Sequence, residues 1–279
     1  MTERIDKLPV VLTSFAYREE YFRELDGLLT TVREHHPDWL IVAGRGPVSG
    51  LPPGSMEVES PWGTHRWTPP VALDVNDFET AFFNIVSLKP WWISQVWRMC
   101  SLPDDGRLKR VLWSDADNRF NGPLDIELQP DSELVSGCWS QNREMICGGL
   151  LLFQGKSDGT IHRLIDEWSQ DCLGYTVTPP PVGKENHPED QERLTELLGA
   201  FPYRGGEIEV LKLDINKYLC CPTDGDKIER RGLVESWYMS ARMQRPENRN
   251  RNWPPPEEYR RHAMIGDSIP DANWDPYES

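Results

Sequence analysis

The first part of the chain alternates between short apolar runs and amphipathic segments of helical period. Val10–Ser14 is apolar and rich in β-branched residues, which is typical of a buried strand. From Arg18 to Arg33, apolar residues recur at steps of three and four, which predicts a helix. The apolar stripe of this helix is Tyr21, Leu25, Leu28, Leu29 and Val32. Trp39–Ala43 predicts a second strand, and strand, helix, strand is how an α/β sheet begins.

The same alternation continues to about residue 213. Phe78–Met99 predicts a helix that is interrupted at Pro90, because proline removes a backbone donor from the helix interior. The segment Gly44–Pro70 is rich in Pro and Gly and is predicted to be loop. The other predicted elements are the strands Arg110–Trp113, Leu134–Trp139, Gly149–Phe153 and Ile208–Leu213, and the helices Ile161–Cys172 and Pro188–Phe201.

Length and charge limit the classes of protein that need to be considered. The chain has 279 residues, enough for one large domain or two small ones. We assign residues 1–244 to a single α/β domain and the polar, Pro-rich residues 245–279 to a C-terminal tail. The net charge is −15, from 45 acidic and 30 basic residues. Binding of nucleic acid mainly through its phosphates is therefore not favoured, since that mode needs a basic face.

Three features bear on the location of the protein. No apolar window approaches the ~18 residues of a membrane-spanning helix, and the amino terminus lacks the apolar stretch of a secretory signal. The six cysteines have no metal-finger spacing and are interpreted as free thiols in a reducing compartment. The sequence thus predicts a cytoplasmic protein without a membrane span.

Two carboxylates follow the predicted strand Arg110–Trp113. Asp115 and Asp117 are two residues apart, so in extended backbone both side chains would point to the same side. Carboxylate oxygens suit Mg²⁺ or Mn²⁺, which usually keep positions for waters and substrate phosphates. The alternative is a turn at the end of the strand in which the aspartates cap backbone amides. A D-x-D pair alone does not decide between a metal site and such a turn.

A glycine pair, Gly148 and Gly149, precedes an apolar run. Glycine has no side chain, so the backbone there can approach a ligand closely. The alternative is a bulge or turn without a ligand, and these two residues alone favour that alternative.

An acid and an amide begin the predicted helix Pro188–Phe201. Counted back from Leu194, Asp190 and Gln191 lie on the apolar stripe that faces inward. Polar side chains there indicate a binding or catalytic site. A carboxylate in the first turn also complements the helix dipole, so both interpretations stay open.

Taken in order, these segments resemble the GT-A type of nucleotide-diphosphosugar-dependent glycosyltransferases. The resemblance covers about Leu8 to Arg242. It implies a Rossmann-like central mixed sheet flanked by helices in a single domain. The segments that carry it are VLTSFAYR, SLKPWWI, VLWSDADNRF with its D-x-D pair, CGGLLLF, HPEDQERL and EVLKLDINKY.

The resemblance implies where a nucleotide sugar binds. Thr13, Phe15 and Tyr17, at the end of the first strand, would border the base and ribose. Lys89 would lie near the diphosphate or the sugar. A positive charge there would neutralise the leaving diphosphate, which agrees with the chemistry of such a transfer.

The resemblance also implies a metal site and a pocket. Asp115 and Asp117 would hold a divalent cation, Mn²⁺ or Mg²⁺, that bridges the diphosphate and so adds to its neutralisation. Asp115 would thereby also contact the donor. Gly148 and Gly149 would line the pocket of the donor sugar or the acceptor.

By the same resemblance, Asp190 and Gln191 are the candidate catalytic residues. They match the segment that, in retaining members, contacts the donor sugar beside the reacting carbon, so retention is favoured. An inverting enzyme would instead need a carboxylate base near the acceptor hydroxyl, and Asp190 or Glu189 could serve.

One position departs from the family pattern. Related enzymes often place a metal-binding histidine after the last core strand, and Ser236 occupies that place here. Glu235 could substitute, His262 could reach over from the tail, or water could fill the position.

The predicted function is therefore metal-dependent transfer of a sugar from a nucleotide diphosphosugar, preferably a UDP-sugar, to an acceptor hydroxyl. The acceptor stays open: a glycan, a lipid-linked sugar, a small molecule, a protein or a modified nucleobase in DNA. One alternative, motivated by Ser236, is a catalytically impaired domain that binds nucleotide sugar or carbohydrate. Another is a sugar nucleotidyltransferase or hydrolase that uses the same carboxylates.

Overall fold

The computed structural model describes residues 9–73, 78–101, 106–126, 132–140, 145–177, 190–199, 208–220 and 233–236. The predicted tail, 245–279, the boundary at residue 244, Glu189 and His262 lie outside these ranges.

The described residues form eleven strands and five α-helices, with a short 3-10 helix, Glu19–Tyr21, before the first α-helix. The helices are α1 (Phe22–His35), α2 (Phe78–Cys100), α3 (Thr160–Val177), α4 (Asp190–Gly199) and α5 (Ile215–Tyr218). The first six strands are β1 (Val10–Tyr17), β2 (Leu40–Gly46), β3 (Met56–Ser60), β4 (Gly63–Trp67), β5 (Lys109–Ser114) and β6 (Asn118–Phe120). They are followed by β7 (Leu134–Ser140), β8 (Met145–Gly155), β9 (Glu209–Leu213), β10 (Leu219–Cys220) and β11 (Val234–Ser236).

Within the described ranges, eight strands form one mixed sheet in the order β4-β3-β2-β1-β5-β8-β7-β9. The pairs β1–β2, β1–β5 and β7–β9 are parallel, and the other neighbours are antiparallel. A smaller sheet joins β10, β11 and β6. This single-domain α/β architecture, a central mixed sheet flanked by helices, confirms the fold class expected from the sequence.

Apolar side chains cover both faces of the large sheet, because alternate residues of a strand point to opposite sides. Along β1, Val11 and Phe15 join a core with α2, α3 and α4. Leu12 and Ala16 join a second core with α1, β6, β10 and β11. The molecule is thus three-layered. None of its described helices is both long and apolar enough to cross a membrane.

Two expectations about the first hundred residues were wrong. The segment Gly44–Pro70 is not all loop, since β3 and β4 form a hairpin at the edge of the sheet. Only Met56 and Val58 of β3 are buried, so the alternation was too short to predict a strand. Pro90 does not interrupt α2. Burial of the helix on both sides of Pro90 offsets a proline penalty of about 3 kcal/mol.

His36 makes the stability of the fold depend on pH. Its Nε2 accepts a hydrogen bond from the backbone N–H of Leu124 at 2.8 Å. Burial lowers the pKa of His36 below its ordinary value of 6.5, Asp38 opposes the change, and His35 adds to it. The folded state therefore resists a proton that the unfolded chain accepts below pH 6.5. The stability contributed by neutral His36 is complete above that pH and is lost as the pH falls below it.

We expect His36→Gln to reduce the fall in melting temperature between about pH 7.5 and about pH 5.5. The glutamine offers an amide oxygen to Leu124 but does not titrate. Thermal melts at both pH values test this expectation, with His65→Gln on β4 as the matched control. An equal fall in the parent and in His36→Gln would contradict it.

Candidate active site

Six of the residues singled out in the sequence meet at one end of the central strands of the large sheet. They come from α2, the turn after β5, the middle of β8 and the start of α4. The residues are Lys89, Asp115, Gly148, Gly149, Asp190 and Gln191. The cluster thus lies at the carboxyl ends of the parallel strands β1 and β5, where ligands of open α/β sheets usually bind.

Lys89 is the centre of this cluster. Its Nζ lies 2.8 Å from Asp190 Oδ2 and 3.5 Å from Asp115 Oδ1, and it donates to the carbonyl of Gly148 at 3.3 Å. The side chain is only 9% exposed. Burial alone would lower the pKa of Lys89, but Asp115 and Asp190 outweigh it and raise that pKa above the usual range. Lys89 is therefore an ammonium group fixed between two carboxylates, which stabilise its charge.

Asp115 is held from two directions. Its Oδ1 accepts a hydrogen bond from the indole of Trp113 at 2.9 Å, and its backbone N–H donates to the carbonyl of Gly149 at 2.9 Å. Burial raises the pKa of the Asp115 carboxyl, and Asp190 adds to the rise, while Lys89 and Trp113 oppose it. The side chain is still 31% exposed, so Asp115 lies where the cluster opens to solvent.

The glycine pair lies in a bulge of β8. The register of β7 and β8 shifts between Gly137 and Trp139, so the segment 147–150 stands opposite Cys138 alone. The backbone of Gly148 turns to other partners: its N–H donates to Gln191 Oε1 at 3.1 Å. A Cβ at this position would lie 3.0 Å from Lys89 Nζ. Bulges beside functional sites re-aim backbone and side chains in this way.

Gly149 connects the bulge to the D-x-D segment. Its carbonyl accepts from the backbone N–H of Asp115 and from Asn118 Nδ2 at 2.7 Å. A Cβ at position 149 would lie 3.3 Å from Asp115 Oδ2. Both glycines thus lie in a bulge, the alternative that the sequence left open, and the close approach of a ligand to them stays a prediction.

Asp190 and Gln191 begin α4 and face inward, as the apolar stripe predicted. Asp190 is 4% exposed, and its carbonyl accepts from the Trp168 indole at 2.7 Å. Its carboxylate contacts Lys89 on another helix, so it contributes to the cluster. Gln191 binds the bulge through Gly148. The first two residues of α4 thus make specific contacts within the candidate site, in addition to any interaction of Asp190 with the helix dipole.

The D-x-D segment is a turn, so the extended backbone assumed from the spacing is absent. β5 ends at Ser114, and the N–H of Asn118 donates to the carbonyl of Asp115 at 3.1 Å. Asp117 lies half-buried on this turn. Because Asp115 and Asp117 do not lie on a strand, their two-residue spacing does not show that they face the same ligand. The metal role of the pair stays a prediction.

The chemistry of the two aspartates fits a metal ion that is shared with a substrate. Carboxylate oxygens are the ligand type that Mg²⁺ and Mn²⁺ prefer, and these ions often take their other ligands from water or substrate phosphates. In the part of the chain that the structure describes, no group of three or more His, Cys, Asp or Glu residues could hold a metal alone. The backbone of Ser236 pairs with Asn118, next to Asp117. Ser236, at the position where the resemblance leads one to expect a histidine, thus lies beside the D-x-D turn.

The three predicted nucleotide-binding residues of β1 lie in the core. The hydroxyl of Thr13 donates to the carbonyl of Val42 and accepts from the Trp92 indole. Phe15 packs on Trp92 and Trp113, and the Tyr17 hydroxyl accepts from the N–H of Gly54. The structure does not bring these side chains into the Lys89 cluster, and their contact with a nucleotide stays a prediction.

Sequence reasoning missed two tryptophans that support the cluster. Trp113 holds Asp115 through its indole, and its ring centroid lies 5.5 Å from Lys89 Nζ. Trp168 binds the first carbonyl of α4. The position of Trp113, two residues before Asp115, was the available signal. Trp168 gave none, because it occupies an ordinary core position of α3.

Comparisons with known proteins give similarity at the level of fold. No protein-family profile matches the chain, and no curated protein matches its sequence. The glycosyltransferase GlyE of Streptococcus pneumoniae TIGR4 aligns with a TM-score of 0.50 and 11% identity, covering 92% of this chain and 61% of GlyE. The galactosyltransferase LgtC, in complex with donor and acceptor sugar analogues, aligns with a TM-score of 0.48 and 15% identity over 94% and 98% of the two chains. A glycosyltransferase involved in glycosylation of the major capsid of PBCV-1 gives 0.48 and 12% over 82% and 93%.

Proposed function

We propose that this chain is a glycosyltransferase that moves a sugar from a nucleotide diphosphosugar to an acceptor hydroxyl. The observation that carries the proposal is the fixed ammonium group of Lys89, held by Asp115 and Asp190 against the bulge at Gly148. The fold shared with the glycosyltransferase GlyE supports it.

Lys89 and the carboxylates have complementary roles in this proposal. The diphosphate leaves only if its growing negative charge is neutralised, and a preorganised cation does this without reorganisation. Lys89 supplies one such charge. Asp115 and Asp117 would hold Mn²⁺ or Mg²⁺ together with phosphate oxygens, and the bound ion adds further electrostatic stabilisation of the leaving group.

Asp190 and Gln191 would lie beside the reacting carbon of the donor sugar. Gln191 is anchored to Gly148, and Asp190 is fixed by Lys89 and Trp168, so both groups are preorganised. We propose a UDP-sugar donor, with Thr13, Phe15 and Tyr17 bordering the base and ribose, and transfer with retention.

A calorimetric titration with UDP, GDP, ADP and CDP, each with and without Mn²⁺, tests the proposal. We expect Mn²⁺-dependent binding of one nucleotide, UDP in the favoured case, and loss of that binding in Asp117→Ala. Asp158→Ala is the matched control, because Asp158 is an exposed aspartate in the turn after β8. Failure of all four nucleotides to bind would refute the proposal.

Turnover separates the enzyme from a binding domain. We expect the parent to release the bound nucleoside diphosphate from the corresponding nucleotide sugar, with water or an acceptor as the second substrate. Tight Mn²⁺-dependent binding without any release over many hours would instead identify a nucleotide-sugar-binding domain. Release of a nucleoside monophosphate would identify a hydrolase that cleaves the diphosphate bond rather than the bond to the sugar.

A further inference from the structure

A buried ion pair lies directly behind the D-x-D turn. Arg119 follows the turn on β6, and its Nη2 donates to Glu24 Oε2 of α1 at 2.7 Å. The two side chains are 1% and 4% exposed. Burial raises the pKa of Glu24, and Arg119 opposes the rise. Replacing a buried ion pair by apolar residues of similar size is often neutral or stabilising, so stability alone does not explain this pair.

The guanidinium of Arg119 also binds the backbone of the turn. Its Nη1 donates to the carbonyl of Ala116 at 3.2 Å and to the carbonyl of Asn118 at 2.8 Å. These two carbonyl groups flank Asp117. Arg119 therefore connects the segment that carries both carboxylates to a rigid helix.

Helix α1 is shaped to receive Arg119. A Cβ on Gly27 would lie 2.5 Å from Arg119 Cζ, closer than any real contact, so only glycine leaves room for the guanidinium. Glu24 lies one turn earlier on the same face of α1. One turn later, Thr31 Oγ1 accepts from the backbone N–H of Phe120 at 3.1 Å.

We propose that Glu24, Gly27 and Arg119 are positioning residues that set the place of the Asp115–Asn118 turn for binding of the metal and diphosphate. The inference rests on the proposed function for its purpose and on the described contacts for its geometry. Arg119 is too buried to touch a substrate, so it acts through the backbone of the turn. Loss of its donors to the turn, with the buried pair either kept charged or removed as a whole, would leave the fold in place but loosen the turn.

Amide hydrogen exchange measured by mass spectrometry tests the inference without any ligand. The reporters are the N–H groups of Asp115 and Asn118, which are bonded to Gly149 and Asp115, in a peptide spanning residues 113–120. Arg119→Lys keeps the positive charge but loses the planar guanidinium, whose two terminal nitrogens bind Glu24 and the carbonyls of the turn. The double variant Glu24→Leu/Arg119→Met removes both charges at similar volume. Arg98→Lys is the matched control, because Arg98 Nη2 donates to both carboxylate oxygens of Asp166 and so links α2 to α3.

We expect exchange in the 113–120 peptide to accelerate at least about tenfold in both variants, the range of a loosened segment within a folded protein. Peptides from α3 should keep the parent's rate. Arg98→Lys should leave the 113–120 peptide unchanged. Unchanged exchange in that peptide in a folded variant would overturn the inference, and so would an equal acceleration in every peptide, which indicates a purely structural role.

Binding supplies a second readout that general stability does not move. The Mn²⁺-dependent affinity for the nucleoside diphosphate that binds the parent should fall at least about tenfold in the double variant, while its melting temperature stays near the parent's. Parental affinity in a variant with a loosened turn would overturn the positioning role. If the parent binds no diphosphate, the proposed function fails, and hydrogen exchange still decides whether Arg119 fixes the turn.

Discussion

Replacing Lys89 by Met is expected both to destabilise the protein and to abolish the proposed sugar transfer. The substitution leaves Asp190 buried without its cation, and removal of one partner of a buried pair typically costs about 3–5 kcal/mol. Because Asp115 is 31% exposed, water partly replaces the lost ammonium group as its partner. We therefore expect the free energy of unfolding to fall by about 3 kcal/mol, the lower end of that range. Urea denaturation measures the change in free energy of unfolding.

The double variant Lys89→Met/Asp190→Asn separates the two effects. With the buried negative charge removed, stability should recover by about half or more, since most of the penalty comes from the uncompensated carboxylate. Transfer should not recover, because the positive charge for the diphosphate is still missing. A double variant that regained activity along with stability would show that Lys89 serves only the fold.

Asp190→Asn is expected to reduce both turnover and stability, and turnover by the larger free energy. The amide keeps the size of the side chain and its place in α4, and Lys89 keeps Asp115 and the carbonyl of Gly148 as partners. We expect a loss of about 1.5–3 kcal/mol in stability and of about 10²- to 10³-fold in turnover, the usual effect of removing one preorganised charged or polar group. Steady-state rates and urea denaturation measure the two.

The matched control for Asp190→Asn is Asp171→Asn. Asp171 also pairs with a cation, Arg193, but on the partly exposed side of α3 and α4. Its loss should change turnover less than about twofold, as expected for an exposed pair. Equal effects of the two substitutions on turnover would exclude a role for Asp190 beside the reacting carbon.

The sequence was informative wherever local pattern and long-range packing agree. Asp190 and Gln191 begin the helix in line with its apolar stripe, and this predicted that they face inward, because the helical period alone fixes which face is buried. The resemblance implied that Lys89, Asp115 and Gly148 would lie around one donor site, and the structure brings them together. Their contacts depend on the topology of a mixed sheet, which a resemblance supplies and periodicity does not.

The expectations that failed depended on backbone geometry. Asp115 and Asp117 are spaced for one side of a strand, but the strand ends at Ser114, and a hydrogen-bonded turn follows. The spacing of side chains cannot reveal where pairing stops. Likewise, Pro90 has a strong local preference against helix, which packing of the surrounding tryptophans overrides.

The pairing of Glu24 with Arg119 fixes an order of events during synthesis. The two residues are 95 positions apart, so at ribosomal rates Glu24 is made about 5–20 s before its partner. An isolated helix as short as α1 is marginal in water. During that interval, Glu24 keeps its hydration, and the notch at Gly27 has no guanidinium to receive. α1 can therefore form its ion pair with Arg119 only after β6 has left the ribosome, so the Asp115–Asn118 turn gains this support only after α1 has been made.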